Sequence, residues 1–122
     1  MAEVMLVEDS PIEASLAAIA IALCHPSVRV HEANGIKHAL SALAGRSSPT
    51  VVILGWRALK EVPAVLPRGG ARFVGFAANL SQQDAERALA AGVESIRERP
   101  QEWRAFCDAL GALLKNCLPE LA

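Results

Sequence analysis

The sequence predicts an α/β protein whose core is a doubly wound, five-stranded parallel sheet with the strand order 2-1-3-4-5. Short apolar runs alternate with segments of helical periodicity five times along the 122 residues. The run at residues 51–54 is apolar throughout, which is typical of a parallel strand buried on both faces. Every crossover between runs is long enough to join parallel neighbours by a right-handed connection. Together these observations favour an open sheet with helices on both faces.

The size and composition are those of one globular domain spanning residues 1–122. Hydrophobic residues make up 52% of the chain, and the formal net charge of -1 gives no electrostatic reason to expect nucleic acid or an anionic membrane as partner. The three cysteines are odd in number and have no CxxC spacing, so free thiols are expected. No secretory leader pattern and no bilayer-spanning apolar run are present. We therefore expect a cytoplasmic protein, with no further domain after residue 122.

The first strand and helix are predicted from residues 4–24. The apolar run at residues 4–7 predicts a buried strand that carries Glu8 and Asp9 at its carboxyl end. Residues 10–13 form a capping box, which begins a helix. Apolar residues at helical spacing predict the buried face of this helix: Ile12, Leu16, Ile19, Ala20 and Leu23.

The later elements follow the same alternation. A short second strand around residues 28–30 is followed by a helix at residues 36–43, which Gly45 ends. Prolines and glycines between residues 58 and 71 limit the third helix to one or two turns around residues 60–66. The fourth strand is expected at residues 73–77 and an edge strand at residues 94–98.

The last two helices are predicted to begin at Ser81, as N-cap, and at Pro100. The expected inward face of the fourth helix is Ala85, Ala88, Leu89 and Ala91. The expected stripe of the fifth helix is Trp103, Phe106, Leu110, Leu113 and Leu114.

The residue after the central strand is the main functional clue. In open α/β sheets, ligands and chemistry lie just past the carboxyl ends of the strands. Gly55 occupies that position after residues 51–54 and has no side chain. Phosphoryl transfer to a protein carboxylate needs a nucleophile there, and glycine supplies none.

The order and spacing of these motifs resemble the receiver domain of response regulators (CheY-like, with a flavodoxin-like fold) over essentially the whole chain. The segment 49–55, PTVVILG, runs parallel to the PDxxxxD pattern of that family and has glycine where the last aspartate accepts the phosphoryl group. The resemblance therefore implies a degenerate receiver, or pseudo-receiver, in which Gly55 replaces the acceptor.

The resemblance assigns roles to five further residues. Glu8 and Asp9 match the acidic pair that helps to bind magnesium, and Ala77 falls where the family has a Ser or Thr that contacts the phosphoryl group. Arg99 matches the lysine that precedes a proline. Ile96 matches the aromatic switch position. With Gly55, these residues would form a degenerate phosphorylation pocket without catalytic residues.

We expect no cofactor and no tight metal site. Magnesium prefers an octahedral cage of oxygen ligands, and Gly55 removes one of the three carboxylates of the family's site. Weak magnesium binding through Glu8, Asp9 and water stays open.

Arg99 and Trp56 each have alternative roles. Arg99 could form a static bridge to Glu8 and Asp9, which we favour, or bind an anion. Trp56, on the loop after Gly55, could shield the pocket or anchor a partner, or it could belong to the core.

Two functions are compatible with the sequence. The first is a phosphorylation-independent protein–protein interaction module in two-component signalling, with a histidine kinase, another receiver or an output protein as partner. By resemblance, the partner or a homodimer would use the fourth helix, fifth strand and fifth helix. Trp56, Arg87, Arg97 and Arg104 are candidate interaction residues, and the mixed-charge face comprises Gln82, Gln83, Glu86, Arg87, Arg97, Glu98, Gln101, Arg104 and Asp108.

The alternative is a domain that binds a small anion or a nucleotide through Arg99, Lys60 or Arg57 in the emptied pocket. The sequence has no Gly-rich phosphate loop that would support it. Enzyme activity is not expected, because no nucleophile is paired with a base.

Overall fold

A five-stranded parallel sheet with the order β2-β1-β3-β4-β5 forms the centre of the computed structural model, which describes residues 2–45, 50–67 and 69–118. This confirms the predicted fold and strand order. The strands are β1 (Glu3–Val7), β2 (Arg29–Ala33), β3 (Thr50–Leu54), β4 (Ala71–Ala77) and β5 (Ile96–Glu98). The helices are α1 (Pro11–Cys24), α2 (Ile36–Leu43), α3 (Trp56–Glu61), α4 (Gln82–Ala91) and α5 (Trp103–Cys117). Pro49, the first residue of the segment that resembles PDxxxxD, lies outside the described residues.

The central strand β3 supplies side chains to a core on each face of the sheet. Val52 and Leu54 pack in a cluster with residues of α2, α3 and α4. Val51 and Ile53 point to the opposite face, where they pack with residues of α1 and α5. All four are at most 4% exposed, which accounts for the uninterrupted apolar run in the sequence.

The predicted buried face of α1 is wrong. Ser10 caps the helix as expected, since its Oγ accepts a hydrogen bond from the backbone N–H of Glu13 at 3.4 Å. The residues buried beneath the helix are Ala14, Ala20 and Ile21. Of the predicted stripe only Ala20 is buried, and the four large members are exposed: Ile12, Leu16, Ile19 and Leu23. Because α1 has a single charged residue, periodicity alone could not distinguish the inner face from the outer one.

The third helix is short, as predicted, but lies earlier in the chain than residues 60–66. It begins at Trp56, with extended Gly55 as its N-cap, and ends at Glu61. Val62 precedes Pro63 and has extended φ and ψ angles of -59° and 141°, because a residue before proline is disfavoured in the helical region.

The C-terminal end of α3 is held by Arg87 of α4. The Arg87 guanidinium donates to the carbonyl of Val62 at 2.9 Å, to that of Leu59 at 3.3 Å and to that of Lys60. These bonds satisfy carbonyls that the end of a helix leaves without partners.

The last two helices differ from prediction in one inward residue of α4, in the start of α5 and in the predicted stripe of α5, of which Trp103 is 41% exposed. Ser81 caps α4, but Leu89 is 45% exposed and does not face inward; Ala88 and Ala91 alone are buried along this helix. Helix α5 begins at Trp103 and not at Pro100, because the Glu102 carboxylate accepts the backbone N–H groups of Arg104 and Ala105.

Three smaller findings complete the description. The edge strand β5 covers only Ile96–Glu98 of the predicted 94–98. Cys24, Cys107 and Cys117 are all described, and no disulfide bond joins any two of them. Within the described ranges, no helix is both long and apolar enough to cross a membrane.

Arg87→Met tests the link between α4 and α3. We expect the substitution to lower the free energy of unfolding by about 1–2 kcal/mol, because three carbonyls at the end of α3 lose their donor. Urea denaturation measures the change, with Arg104→Met, at an exposed position on α5, as the control. Equal effects of the two substitutions would contradict this role for Arg87.

Candidate functional site

The candidate site lies at the carboxyl edge of the sheet. Glu8 follows β1, Gly55 follows β3 and Arg99 follows β5, while Ala77 is the last residue of β4. Backbone hydrogen bonds extend the pairing past the strand ends, from Gly55 N to Val7 O at 3.0 Å and from Arg99 N to Ala77 O at 3.1 Å. The structure therefore brings the predicted pocket residues to one edge.

The carboxyl group of Glu8 fills the space above Gly55. A Cβ atom built on Gly55 would lie 2.3 Å from Glu8 Oε2 and 3.0 Å from Glu8 Cδ. Carbon and oxygen do not approach so closely without a bond, so any side chain at residue 55 would displace this carboxyl group. In this structure the space that a side chain at residue 55 would take is occupied by the carboxyl group of Glu8, which follows the neighbouring strand β1.

Burial gives Glu8 unusual acid–base properties. It raises the pKa of Glu8 from 4.5 to about 7, and the hydrogen bond with the Asp9 side chain acts in the same direction. The backbone N–H of Ser10 donates to Glu8 Oε1 at 3.2 Å and partly offsets this rise. The pKa of Asp9 is lowered, first by the hydrogen bond from Glu8 and then by the charge of Arg57. Below about pH 7, Glu8 is therefore mostly the protonated donor of this pair and Asp9 the ionised acceptor.

The expected bridge from Arg99 to Glu8 and Asp9 is wrong. Arg99 pairs with the carboxylate of Glu13, in the first turn of α1, and this hydrogen bond raises the pKa of Arg99. Asp9 pairs with Arg57 of α3 instead, at 2.7 Å between Oδ2 and Nε. Arg99 thus forms an ion pair with a carboxylate other than the two predicted ones.

The helix cap explains why Arg99 finds Glu13. In a complete capping box the Glu13 carboxylate would accept the backbone N–H of Ser10. Here that N–H donates to Glu8. The Glu13 carboxylate pairs with Arg99, which ties α1 to the end of β5.

The space between these groups is small. A cavity of about 20 Å³ is bordered by Glu8, Glu13, Gly55 and Arg99 on its polar side and by Phe76 on its apolar side. A volume near 15 Å³ is the least that accommodates one water molecule, at roughly one probe sphere. The cavity therefore suits one water molecule and not a phosphate or a nucleotide.

The donor set does not fit a magnesium ion. Glu8 is largely protonated below about pH 7, and the Asp9 carboxylate is paired with Arg57. Among the described residues, no group of three or more His, Cys, Asp or Glu side chains could hold a metal ion. Magnesium would have to displace both a proton and a guanidinium to gain two ligands.

The remaining predicted pocket residues are apolar. Ala77 is buried at the end of β4. Ile96 is half-buried and packs with Leu59 around Gly75, where a Cβ atom would lie 3.0 Å from both side chains. Neither residue offers a hydroxyl group or an aromatic ring.

The predicted interaction residues divide into two groups. Trp56 is 43% exposed, so it is not part of the core, and Lys60 Nζ lies 4.2 Å from the centre of its ring. Arg97 and Arg104 are exposed as well. Arg87 differs, because its guanidinium is engaged by the carbonyls at the end of α3.

Sequence reasoning missed two ion pairs of the site, Arg99–Glu13 and Arg57–Asp9. Glu13 carried a signal as the third residue of the capping box, but the pattern assigned its carboxylate to Ser10. The Arg57–Asp9 pair depends on where α3 begins, which the sequence had placed several residues too late.

The fold and the edge just described define an open, doubly wound α/β domain with the Glu8 carboxyl group beside the glycine that follows its central strand. Solved structures with the same fold are response-regulator proteins. A response regulator from Hahella chejuensis is 18% identical, with a TM-score of 0.78 over 100% of this chain and 98% of that chain. A receiver domain from Rhodospirillum rubrum is 17% identical, with a TM-score of 0.69 over 91% of this chain and 89% of that chain.

The phosphorylated cyanobacterial phytochrome response regulator RcpA is also similar, at 15% identity and a TM-score of 0.74, over 93% of this chain and 91% of that chain. No protein-family model matches the sequence, and no curated protein matches it. At these identities the likeness establishes a shared fold.

Glu8→Gln tests the proton held above Gly55. The folded protein binds this proton more tightly than the unfolded chain, so the contribution of Glu8 to stability is present below pH 4.5 and is lost as the pH rises through about 7. Glutamine stays neutral and keeps an oxygen for Ser10 N–H. We expect the variant to exceed the wild type by roughly 1–2 kcal/mol in free energy of unfolding at about pH 8.5, and not at about pH 5.

Urea denaturation at the two pH values measures this difference. Glu32→Gln, at an exposed position on β2, is the control and should show no such pH dependence. An equal effect of Glu8→Gln at both pH values would show that Glu8 titrates normally.

Proposed function

We propose that the chain is a receiver-like domain of two-component signalling that acts as a protein–protein interaction module without phosphorylation. The observation that carries the proposal is the Glu8 carboxyl group, which fills the place where the side chain of residue 55 would begin. A phosphoryl acceptor at that edge would need a carboxylate on β3, free space around it and a bound cation. Gly55 supplies no carboxylate, the Glu8 carboxyl group takes up the space, and the nearby Glu8 and Asp9 side chains do not suit a magnesium ion.

The ion pairs around Gly55 support the same proposal. Arg99 and Arg57 each have a carboxylate partner, in Glu13 and Asp9. The site is thereby neutralised internally, and no cation or phosphoryl group is needed to balance its charge. Because these charged side chains already have partners, the site favours a single conformation over a switch between two conformations.

The proposal assigns protein partners and no catalysis. The partner would be a histidine kinase, a receiver or an output protein, by analogy with the solved proteins of this fold. Arg97 on β5 and Arg104 on α5 are exposed on the mixed-charge face, and Trp56 is exposed at the start of α3. Arg87 would contribute through α3, whose end it holds, more than through a direct contact.

The alternative, a small-anion or nucleotide site, gains no support from the geometry. Arg99 and Arg57 are paired with carboxylates, and the ammonium group of Lys60 lies over Trp56. An anion would have to displace one of these partners, and the adjoining cavity holds about one water molecule.

Gly55→Asp tests the central claim. We expect this single variant, like the wild type, to show no normal magnesium-dependent labelling by acetyl phosphate. The new side chain must first expel the Glu8 carboxyl group, and Ala77 and Arg99 still lack a hydroxyl group and a lysine ammonium group. Phosphate-sensitive gel electrophoresis and intact mass measure the labelling.

The matched control combines Gly55→Asp with Ala77→Thr and Arg99→Lys, and it should be labelled more than the single variant. A stable acyl phosphate on the wild type, or strong labelling of Gly55→Asp alone, would overturn the proposal.

Thermal denaturation with phosphate, acetyl phosphate and a set of nucleotides tests the alternative. We expect no rise in melting temperature with any of these anions, since ligand binding to the folded state would stabilise it. Arg99→Gln is the control for any rise that occurs. A rise that this variant abolishes would favour the anion site over the interaction module.

A further inference from the structure

Helix α1 carries an apolar stripe on its outer face, made of Ile12, Leu16, Ile19 and Leu23; we call it the α1 stripe. These side chains are 74%, 41%, 51% and 67% exposed. The only charged residue of the helix is Glu13, which is paired with Arg99. A helix that is apolar on all sides is normally buried on all sides. One side of α1 is covered by the sheet and α5, and the other is not.

We propose that a second copy of the chain covers this side, with α1 packed antiparallel against α1 of that copy across a two-fold axis. The proposal does not depend on whether the domain serves in signalling. It rests on the spacing of the α1 stripe, its lack of charge, its area and the groove beside it.

The spacing of the α1 stripe is self-complementary. Its members are four, three and four residues apart, which is the heptad spacing by which helices pack as knobs into holes. This spacing is the same in both directions along the helix. In an antiparallel pair, Ile12 therefore meets Leu23 of the second copy, and Leu16 meets Ile19 of the second copy. A two-fold interface requires this reciprocity, since each contact must occur twice.

The electrostatics permit a copy of the same surface as partner. Two charged surfaces of one kind would repel each other, but the α1 stripe has no charged group among its members. The antiparallel arrangement also places the N-terminal end of each helix dipole beside the C-terminal end of the other.

The area is sufficient for a modest interface. The α1 stripe exposes roughly 200–300 Å² of apolar surface per copy, on the scale of area buried per aliphatic side chain. Trp103, 41% exposed on the adjoining α5, adds to it. A standard interface buries about 800 Å² per partner, only part of it apolar. Because this apolar area is smaller than that of a standard interface, we expect a reversible dimer and not a permanent one.

A groove of about 430 Å³ adjoins the N-terminal half of the α1 stripe, between α1 and the segment that leads into α5. Leu16, Pro100 and Trp103 contribute its apolar walls. The antiparallel pairing brings the C-terminal half of the second α1 to this side. Ile19 and Leu23 of the second copy are therefore the side chains nearest to the groove.

Sedimentation velocity of the full 122-residue chain over a range of concentrations tests the dimer. We expect reversible dimerisation of the wild type, and Ile19→Glu should raise its dissociation constant at least about tenfold, because a charge enters an apolar contact twice per dimer. The control is Leu89→Glu, which introduces the same charge at a residue of similar exposure, 45%, on α4. It should dimerise as the wild type does.

A monomeric wild type at every concentration would overturn the proposal. So would a dimer that Leu89→Glu disrupts and Ile19→Glu does not, since that result would place the interface on α4. Because Ile19 is exposed, its substitution should leave the thermal unfolding of the monomer nearly unchanged. Phosphate labelling reports on the proposed function separately, so the two ideas can fail independently.

The antiparallel register has its own test. Ile12→Lys and Leu23→Glu should each weaken the dimer when studied alone. An equimolar mixture should recover most of the wild-type association, because Lys at position 12 of one chain then faces Glu at position 23 of the other. The second end of this mixed dimer keeps the wild-type pair of Leu23 and Ile12. A mixture that associates no better than either variant alone would overturn the register.

Discussion

The contact between the Glu8 carboxyl group and the backbone of Gly55 determines the arrangement of the whole carboxyl edge. Only glycine at the end of β3 leaves room for this carboxyl group. Once there, Glu8 accepts the backbone N–H of Ser10, shares a proton with Asp9 and releases the Glu13 carboxylate to pair with Arg99. A change at Gly55, directly after β3, would thus affect the first turn of α1 and the end of β5.

The sequence was sufficient for the elements that depend on local rules. The apolar run of β3 and the capping serines Ser10 and Ser81 are found as expected. Strand order followed from the alternation of strands and helices, because right-handed crossovers restrict the arrangements available to parallel strands. The residues of the candidate site were predicted from the resemblance to receiver domains, and the fold brings them together because they lie at strand ends that share an edge.

The errors arose where a choice depended on tertiary packing. In α1 both faces are apolar, and the inner face is formed by Ala14, Ala20 and Ile21, a choice between two apolar faces that periodicity does not contain. The partner of Arg99 depended on competition for one backbone N–H between Glu8 and Glu13, which lie on the same short segment. The start of α3 depended on extended Gly55 as N-cap, a role that needs no side chain and leaves little trace in a sequence.

Arg87 has a mechanical consequence for the face opposite α1. Its guanidinium belongs to α4 and binds the last carbonyls of α3 and the carbonyl just beyond it. If α4 slid along the sheet by itself, these oxygens would lose the Arg87 guanidinium as their donor. The two helices are therefore coupled through Arg87. A protein that binds α4 and shifts it would also shift α3, including Trp56 at its N-terminal end.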